Sequence, residues 1–290
     1  MTGRTDPANV RAAISCAART LARAGVDSPR RDAEILLCHV LGEGRTALVM
    51  RASQTMTPAQ AAAYRALVAR RAAREPVSRL VGTRGFWRHE FTISPDVLDP
   101  RPDSECLIEA VLSALAGRRG EALRVLDLGV GSGCLLLSLL AEWPCARGVG
   151  VDISPPALAV ARANAARLGL AGRAHFVAGD WFAALSPAAR FDVIISNPPY
   201  IAAGTIAGLA PEVARHEPRP ALDGGDDGLA AYRVLAPDLG CWLAAGGLAA
   251  LEVGAGQAAA VSVLLARHGA RIDCFRDLGD VERCLVARFD

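Results

Sequence analysis

"VLDLGVGSGCLLLSLL", residues 125–140, is the stretch on which the fold turns. Four mostly apolar residues lead into a turn containing Gly129, Gly131 and Gly133, and an apolar stretch of helical length follows. Strand, glycine turn and helix in that order form the start of a parallel α/β unit. The glycines allow the backbone to turn tightly and to approach a ligand closely. Their spacing is G-x-G-x-G, one residue short of the dinucleotide fingerprint G-x-G-x-x-G, and the turn has no Arg or Lys to clamp a phosphate.

Working outward, strand-like and helix-like segments alternate through the C-terminal two thirds. "RGVGVD" (147–152), "AHFVAGD" (174–180), "FDVIISN" (191–197) and "GLAALEVG" (247–254) read as strands. "PPALAVARANAARLG" (155–169), "DGLAAYRVLAPDLGCWL" (227–243) and "GQAAAVSVLLARHG" (256–269) read as helices. Such alternation predicts an α/β, doubly wound, Rossmann-like sheet with helices on both faces. "RIDCFRDLG" and "ERCLVARF", separated by a short turn, predict an antiparallel hairpin at its edge.

The front of the chain differs. Val10, Ile14, Ala17 and Leu21 recur at helical spacing, with Gly25 as a stop. Ser28-Pro29 and Thr57-Pro58 open two further helices, and Gly42 closes the first of them. Residues 1–80 therefore read as a small all-α domain, 81–100 as a β-hairpin linker, and 101–290 as the sheet domain. In "DPRPDSECLIEAVLSAL", Asp103 or Ser104 is the expected N-cap of the first helix of that domain.

Composition sets bounds on function. The chain has 290 residues, 52% of them hydrophobic, and 32 basic residues against 30 acidic ones for a net charge of +2. A dedicated nucleic-acid binder usually carries a clearer basic excess. The basic run "ARRAAREPVSR" (69–79) reads as a solvated helix face. The eight cysteines include no C-x-x-C pair and no Cys/His cluster with zinc-ligand spacing, so they read as free thiols of a cytoplasmic protein with no metal. No uninterrupted apolar run is long enough for a membrane span. The Arg-rich N-terminus lacks a secretory core, and Asp6 and Pro7 argue against a transit peptide.

Candidate site residues lie where ligands bind in such sheets, at the C-terminal strand ends. Asp152 is placed to accept both hydroxyls of a ribose. Asp180 is placed to accept from an adenine amino group, with Trp181 against the ring. In "FDVIISNPPYI" (191–201), Asn197 precedes a proline and is held extended. Pro198 and Pro199 remove two backbone donors. What remains is a set of acceptors, the Asn197 side-chain oxygen and the Pro198 carbonyl, with Tyr200 as a ring wall. That set suits an NH2 group on a planar system, whose delocalised lone pair makes it a poor nucleophile unless it is oriented. Glu252 and Arg101 fall near the same end of the sheet. Each reads equally well as a site residue or as an ordinary strand-end charge and helix-start contact.

The ordered set Asp127, Gly129, Val130, Gly131, Ser132, Gly133, Asp152 and Asp180 resembles the motifs of S-adenosylmethionine-dependent methyltransferases. Asn-Pro-Pro-Tyr resembles the signature of amino-methyltransferases, whose acceptors include adenine, guanine and glutamine. Three further stretches narrow the likeness. "LVGTRGFWRHEFTISPDVLDPRPDSECLIE" (80–109), "HEPRPALDGGDDGLAAYR" (216–233) and "RDLGDVERCLVARF" (276–289) resemble the peptide-chain release factor glutamine methyltransferases, the HemK family. The resemblance implies methyl transfer from S-adenosyl-L-methionine to the side-chain amide nitrogen of the glutamine in a Gly-Gly-Gln motif of release factors. It implies that Asn197, Pro198, Pro199 and Tyr200 hold that amide and that Asp180, Trp181 and Asn197 also contact the cofactor. It also implies that the helical domain and hairpin help receive the release factor. Val130, where the family usually has Thr, and Asp99, where it has an apolar residue, depart from the pattern. The alternatives are a ribosomal-protein glutamine methyltransferase, which shares the amide loop, and a DNA or RNA amino-methyltransferase, which needs a target-recognition segment. A non-catalytic binding module or an oxidoreductase is disfavoured by the intact glycine turn and the missing flavin or nicotinamide fingerprint.

Overall fold

The computed structural model describes residues 9–289; Asp6 and Pro7 lie outside them. The chain divides into two compact units. One runs to Gly82 and takes in Ala210–His216 from much later in the sequence; the other holds Thr83–Leu209 and the remainder.

The first unit is helical: α1 (Val10–Arg23), α2 (Pro29–Leu41), α3 (Arg45–Met50), α4 (Pro58–Ala72) and α5 (Val77–Val81). The predicted stripe of Val10, Ile14, Ala17 and Leu21 is buried, packed with Leu36, Leu37, Tyr64 and Val68. Local signals set the boundaries. Thr57 and Gln60 close a reciprocal capping box at the start of α4, and Gly42 takes the left-handed conformation after α2.

The basic run that ends α4 and continues past it is not the solvated face that its composition suggests. Arg71 is buried, and its Nε donates to Asp32 at 2.7 Å and its Nη1 to Glu212 at 2.9 Å. Arg74 donates to both oxygens of Glu212, at 2.6 and 2.7 Å. Burial alone would raise the Glu212 carboxyl, but the hydrogen bonds from Arg74 and Arg71 reverse this and bring it down to about 2. These partners stand about 140 positions from Glu212 in sequence, so a local reading had no means of pairing them.

The second unit begins with the antiparallel hairpin β1 (Thr83–Phe86) and β2 (His89–Thr92), followed by α6 (Glu105–Ala114). Then come β3 (Arg124–Leu128), α7 (Cys134–Glu142), β4 (Arg147–Asp152), α8 (Pro155–Arg167), β5 (Ala174–Ala178) and β6 (Phe191–Ser196). After β6 the chain passes through α9 (Pro211–Ala214), which is counted with the first unit. It continues with α10 (Ala230–Leu235), α11 (Leu239–Trp242), β7 (Leu243–Glu252), α12 (Ala258–Ala266), β8 (Ala270–Arg276) and β9 (Glu282–Phe289). The long helix expected over 227–243 is two short ones. Pro237 lies between them, where it can neither donate to the helix ladder nor leave its neighbour unrestricted.

The seven strands lie in the order β5-β4-β3-β6-β7-β9-β8. β3 to β7 are parallel, and β9 runs antiparallel between β7 and β8. The C-terminal hairpin thus forms the edge as expected, with the last strand inserted inside the one before it. Alternate residues feed opposite faces, as the two-residue period of a strand requires. Val125, Val193, Ile195, Leu248 and Val286 pack beneath α6 and α7. Leu126, Leu128, Ile194, Ala249 and Leu285 pack with Tyr232, Leu235, Val261 and Leu265 from the other layer. Burial on both faces explains why these strands read as continuous apolar runs.

One polar side chain inside this packing positions the site. Asn164 on α8 is 1% exposed. Its Oδ1 accepts from Thr92 N at 2.8 Å, and its Nδ2 donates to the carbonyls of Thr92 and Ser132, both at 2.9 Å. One amide thereby ties the hairpin and the glycine turn to the same helix. Asn164→Ala takes this partner from one N–H and two carbonyls, the Ser132 carbonyl among them buried, and should cost about 2–3 kcal/mol, read by denaturant unfolding.

Candidate active site

The order of the sheet reverses on either side of β3, since β4 continues to one side and β6 to the other. Both loops leaving this point rise from C-terminal strand ends, and a crevice opens between them. A cavity of about 240 Å³ fills it. Gly129, Val130, Gly131, Ser132, Asp152, Asp180, Trp181, Asn197 and Pro199 all reach its wall.

The turn after β3 is held by backbone and carboxylate together. Gly129 N and Val130 N donate to the Val151 carbonyl at 2.9 and 3.0 Å. Asp152 Oδ2 accepts from Gly131 N and Oδ1 from Ser154 N, both at 2.9 Å. Gly129, Gly131 and Gly133 all have positive φ, at 75°, 52° and 82°. Nothing lies within 4 Å of where a Cβ on Gly131 would stand, so the turn leaves room against its backbone. Trp181 also adopts a positive φ, 48°, uncommon for a bulky residue. Its ring comes to 4.0 Å from the Cβ position of Gly129, walling the same turn from β5. Asp180 is exposed at the rim.

Four of the expected residues stand behind the cavity wall. Asp127 is 1% exposed and faces the helix instead, its Oδ2 accepting from Leu136 N at 3.2 Å. Burial pushes its carboxyl up to about 7. Gly133 lies at the start of α7, Pro198 is buried, and Tyr200 turns away into the protein. The Tyr200 hydroxyl donates to Glu252 Oε1 at 3.2 Å.

The Asn-Pro-Pro-Tyr loop is braced on every side. Ile201 N donates to the Leu222 carbonyl, and Gly224 N to the Ile201 carbonyl, at 2.9 and 2.8 Å. Gln257 Nε2 donates to the Tyr200 carbonyl at 2.9 Å, while its Oε1 accepts from Gly254 N at 2.9 Å. Gly228 packs beneath, where a Cβ would come within 2.3 Å of the Tyr200 carbonyl oxygen at a φ of 76°. Gly228→Ala should therefore displace the loop. The expected results are a loss of about 2–4 kcal/mol in unfolding free energy and at least about a tenfold fall in activity.

Asn197 Nδ2 donates to Ser104 Oγ at 3.1 Å. Ser104 stands at the N-cap position of α6 but makes no side-chain cap, because its hydroxyl is turned toward Asn197. The N-cap expectation thus identified the position and not the use. Glu252 is 1% exposed, at the end of β7. Arg101 lines the cavity and pairs with Glu217 at 2.9 Å. Asp99, buried near Arg84 at 3.7 Å, has a cation partner in the hairpin that suits it to a position the family fills with an apolar residue. Ser104, Asn164, Gly228 and Gln257 were not singled out as site residues. Their only signal in sequence was their being small or polar residues in apolar surroundings.

Solved structures share this architecture. The hMettl16 catalytic domain, crystallised with the MAT2A 3′UTR hairpin 6, is 17% identical, with a TM-score of 0.56 over 69% of this chain and 75% of its own. A methyltransferase from Pyrococcus furiosus is 15% identical, with a TM-score of 0.50 over 77% of this chain and 96% of its own. The sheet unit is that of a Rossmann-like, S-adenosylmethionine-dependent methyltransferase. Residues 12–82 match the family model for the PrmC N-terminal domain, and residues 94–216 that for the methyltransferase small domain. Release factor glutamine methyltransferases from Rhodospirillum rubrum and Agrobacterium fabrum are 52% and 42% identical. The matches span 91% and 99% of this chain, and 80% and 100% of theirs. The chain belongs to the release factor glutamine methyltransferase family. Among the described residues, no helix is long and apolar enough to cross a membrane.

Proposed function

We infer that this protein transfers a methyl group from S-adenosyl-L-methionine to the side-chain amide nitrogen of the glutamine in the Gly-Gly-Gln motif of peptide-chain release factors. The observation that carries the chemistry is Asn197. It stands at the wall of the cavity beyond β6, with Nδ2 bonded to Ser104 and Oδ1 without a partner among the described residues.

The residues present fit the methyl donor. The open backbone at Gly131 admits its methionine end. Asp152, with both oxygens already oriented by Gly131 N and Ser154 N, is set to accept the ribose hydroxyls. Asp180 and Trp181 suit the adenine end. When bound, S-adenosylmethionine would supply an electrophilic methyl on a sulfonium centre; as the nitrogen–methyl bond formed, the sulfur–methyl bond would break to leave S-adenosyl-L-homocysteine, and the nitrogen would lose one of its hydrogens as a proton to solvent.

The rest is the work of the loop. An amide nitrogen is a weak nucleophile because its lone pair is delocalised into the carbonyl. Asn197 Oδ1, on the cavity wall, accepts one of its hydrogens, and the Pro198 backbone carbonyl, although the Pro198 ring is buried behind that wall, accepts the other, so that the lone pair is aimed at the methyl. Pro198 and Pro199, which lack N–H groups, keep competing donors out of that acceptor set. Tyr200 anchors the loop through Glu252 instead of forming an exposed wall. The gain is orientation and a fixed electrostatic environment, with no covalent intermediate on the protein. The helical unit, whose residues 12–82 match a family model of their own, is assigned to recognition of the release factor.

The competing acceptor is a ribosomal-protein glutamine. Incubation with labelled S-adenosylmethionine and either purified release factor or ribosomal protein separates the two. Label is expected in the release factor, and label confined to the ribosomal protein would overturn the reading.

A further inference from the structure

Tyr200 is held at both ends, and both holds come from the end of β7 and the turn that follows it. Its hydroxyl donates to Glu252 Oε1 at 3.2 Å, and its carbonyl accepts from Gln257 Nε2 at 2.9 Å. Gln257 joins two further segments to the same point. Its Nε2 reaches the Gly228 carbonyl at 3.4 Å, and its Oε1 accepts from Gly254 N at 2.9 Å. A carbonyl can only accept and a backbone N–H can only donate, so these partners fix which end of the amide faces which way. A Cβ on Gly254 would come within 2.7 Å of Gln257 Oε1, and one on Gly228 within 2.6 Å of Nε2. The amide fits there because both neighbours lack side chains. Gln257 also occupies the N-cap position of α12 and makes no side-chain cap there. Ser, Thr, Asp and Asn are the preferred residues at such a position. Here the side chain is turned to the neighbouring loop and leaves its own helix uncapped.

The two prolines decide how far that hold reaches. Each ring fixes its own φ. Asn197 and Pro198 both precede a proline, so ψ at each is confined to the extended range. The peptide bonds between them are planar. Between the Cα atoms of Asn197 and Tyr200, the ψ of Pro199 is then the one torsion with ordinary freedom. One end of this stiff arm leaves β6, where Ser196 is in register with Leu128 and Leu251. The other end is Tyr200. With Tyr200 held, the Pro199 torsion cannot turn, and the Pro198 carbonyl keeps its direction. With Tyr200 released, the arm swings at Pro199 and the carbonyl swings with it.

We propose that Gln257 is a positioning residue: by locking the Tyr200 carbonyl it holds, through the two proline rings, the Pro198 carbonyl in line with the substrate amide. This rests on the reading of Asn197 Oδ1 and the Pro198 carbonyl as the two acceptors for that amide. The prolines thereby serve twice, since they remove donors from the acceptor set and also transmit the hold on Tyr200 to it.

The test uses the full chain with Gln257→Met, Pro199→Ala and the double variant, and two kinds of readout. Methionine keeps the unbranched length of glutamine and removes its hydrogen bonds. Gln257→Met should lower kcat about tenfold or more and leave S-adenosylmethionine affinity, measured by calorimetry, within about twofold. Pro199→Ala puts a free joint into the arm ahead of Tyr200. Adding Gln257→Met to that variant should cost less than about a further twofold in kcat, because a jointed arm no longer carries the hold. For the second readout, nitrogen-15 tyrosine labels the backbone amides of the three tyrosines, Tyr64, Tyr200 and Tyr232. The Tyr200 signal, assigned with Tyr200→Phe, should shift and broaden in Gln257→Met, while that of Tyr64 in the helical unit stays in place. A kcat near wild type in Gln257→Met, losses that multiply in the double variant, or an unmoved Tyr200 signal would each overturn the proposal. So would loss of S-adenosylmethionine binding in Gln257→Met, which would mark a role in the fold alone. A wild-type protein that labels no release factor would instead refute the underlying function, and the Tyr200 signal would still decide whether Gln257 holds the loop.

Discussion

Asn197→Ala should lower kcat/KM for the release factor by about 10²–10⁴-fold while leaving the protein folded and able to bind S-adenosylmethionine. The side chain is half-buried just beyond β6 and, among the described residues, makes a single hydrogen bond, so truncation removes little packing. On the reading proposed above, what it removes is one of two acceptors that hold a weak nucleophile in line, and that loss falls on the chemical step. Asn197→Asp sharpens the point. It keeps an acceptor but cannot donate to Ser104, and it brings a second carboxylate toward Glu252. Its activity should fall between those of the wild type and the alanine variant. Steady-state kinetics with calorimetry for the cofactor separates the two effects. A kcat near wild type in Asn197→Ala would show that the loop is only a turn.

Asp152→Ala should weaken S-adenosylmethionine binding by about 10²-fold, with a smaller effect on kcat at saturation. Two losses combine. The charge-assisted bonds proposed to the ribose hydroxyls would disappear, at about 1.5–3 kcal/mol for a bond to a charged group. Gly131 N and Ser154 N also lose the carboxylate that orients them, so the turn itself loosens. Asp152→Asn keeps one carbonyl oxygen and must leave one of those two N–H groups without its acceptor, so an intermediate affinity is expected. Isothermal calorimetry measures this directly. An Asp152→Ala protein with undiminished affinity would remove Asp152 from the cofactor site.

Much of this was legible in the sequence because the relevant rules are local. A strand, a glycine turn and a helix require each other within 16 residues, and the same short range covers Asp152 at the end of β4 and Asn197 before two prolines. The helical front of the chain was equally readable, since Thr57 with Gln60 and the stripe from Val10 to Leu21 are set by neighbours in sequence. The partnerships were not legible. Ser104 and Asn197 are 93 positions apart, Tyr200 and Glu252 are 52 apart, and Asn164 reaches Thr92 across 72. Only the strand order brings them together. The same limit explains Asp127, which has the composition of a cofactor ligand but faces α7, and Arg71, which sits in a basic run but is buried. The sequence of a short segment states what each residue can do, and the topology decides which neighbour it does it with.

The central claim is that the methyl group ends on a glutamine side-chain nitrogen of a release factor. The most direct measurement is tandem mass spectrometry of the Gly-Gly-Gln peptide from purified release factor, after incubation with S-adenosylmethionine and either the wild-type protein or Asn197→Ala. One added methyl, mapped to the glutamine side chain and present only with the wild type, is the predicted result. A glutamine that stays unmodified, or a methyl group mapped to any other residue, would contradict it.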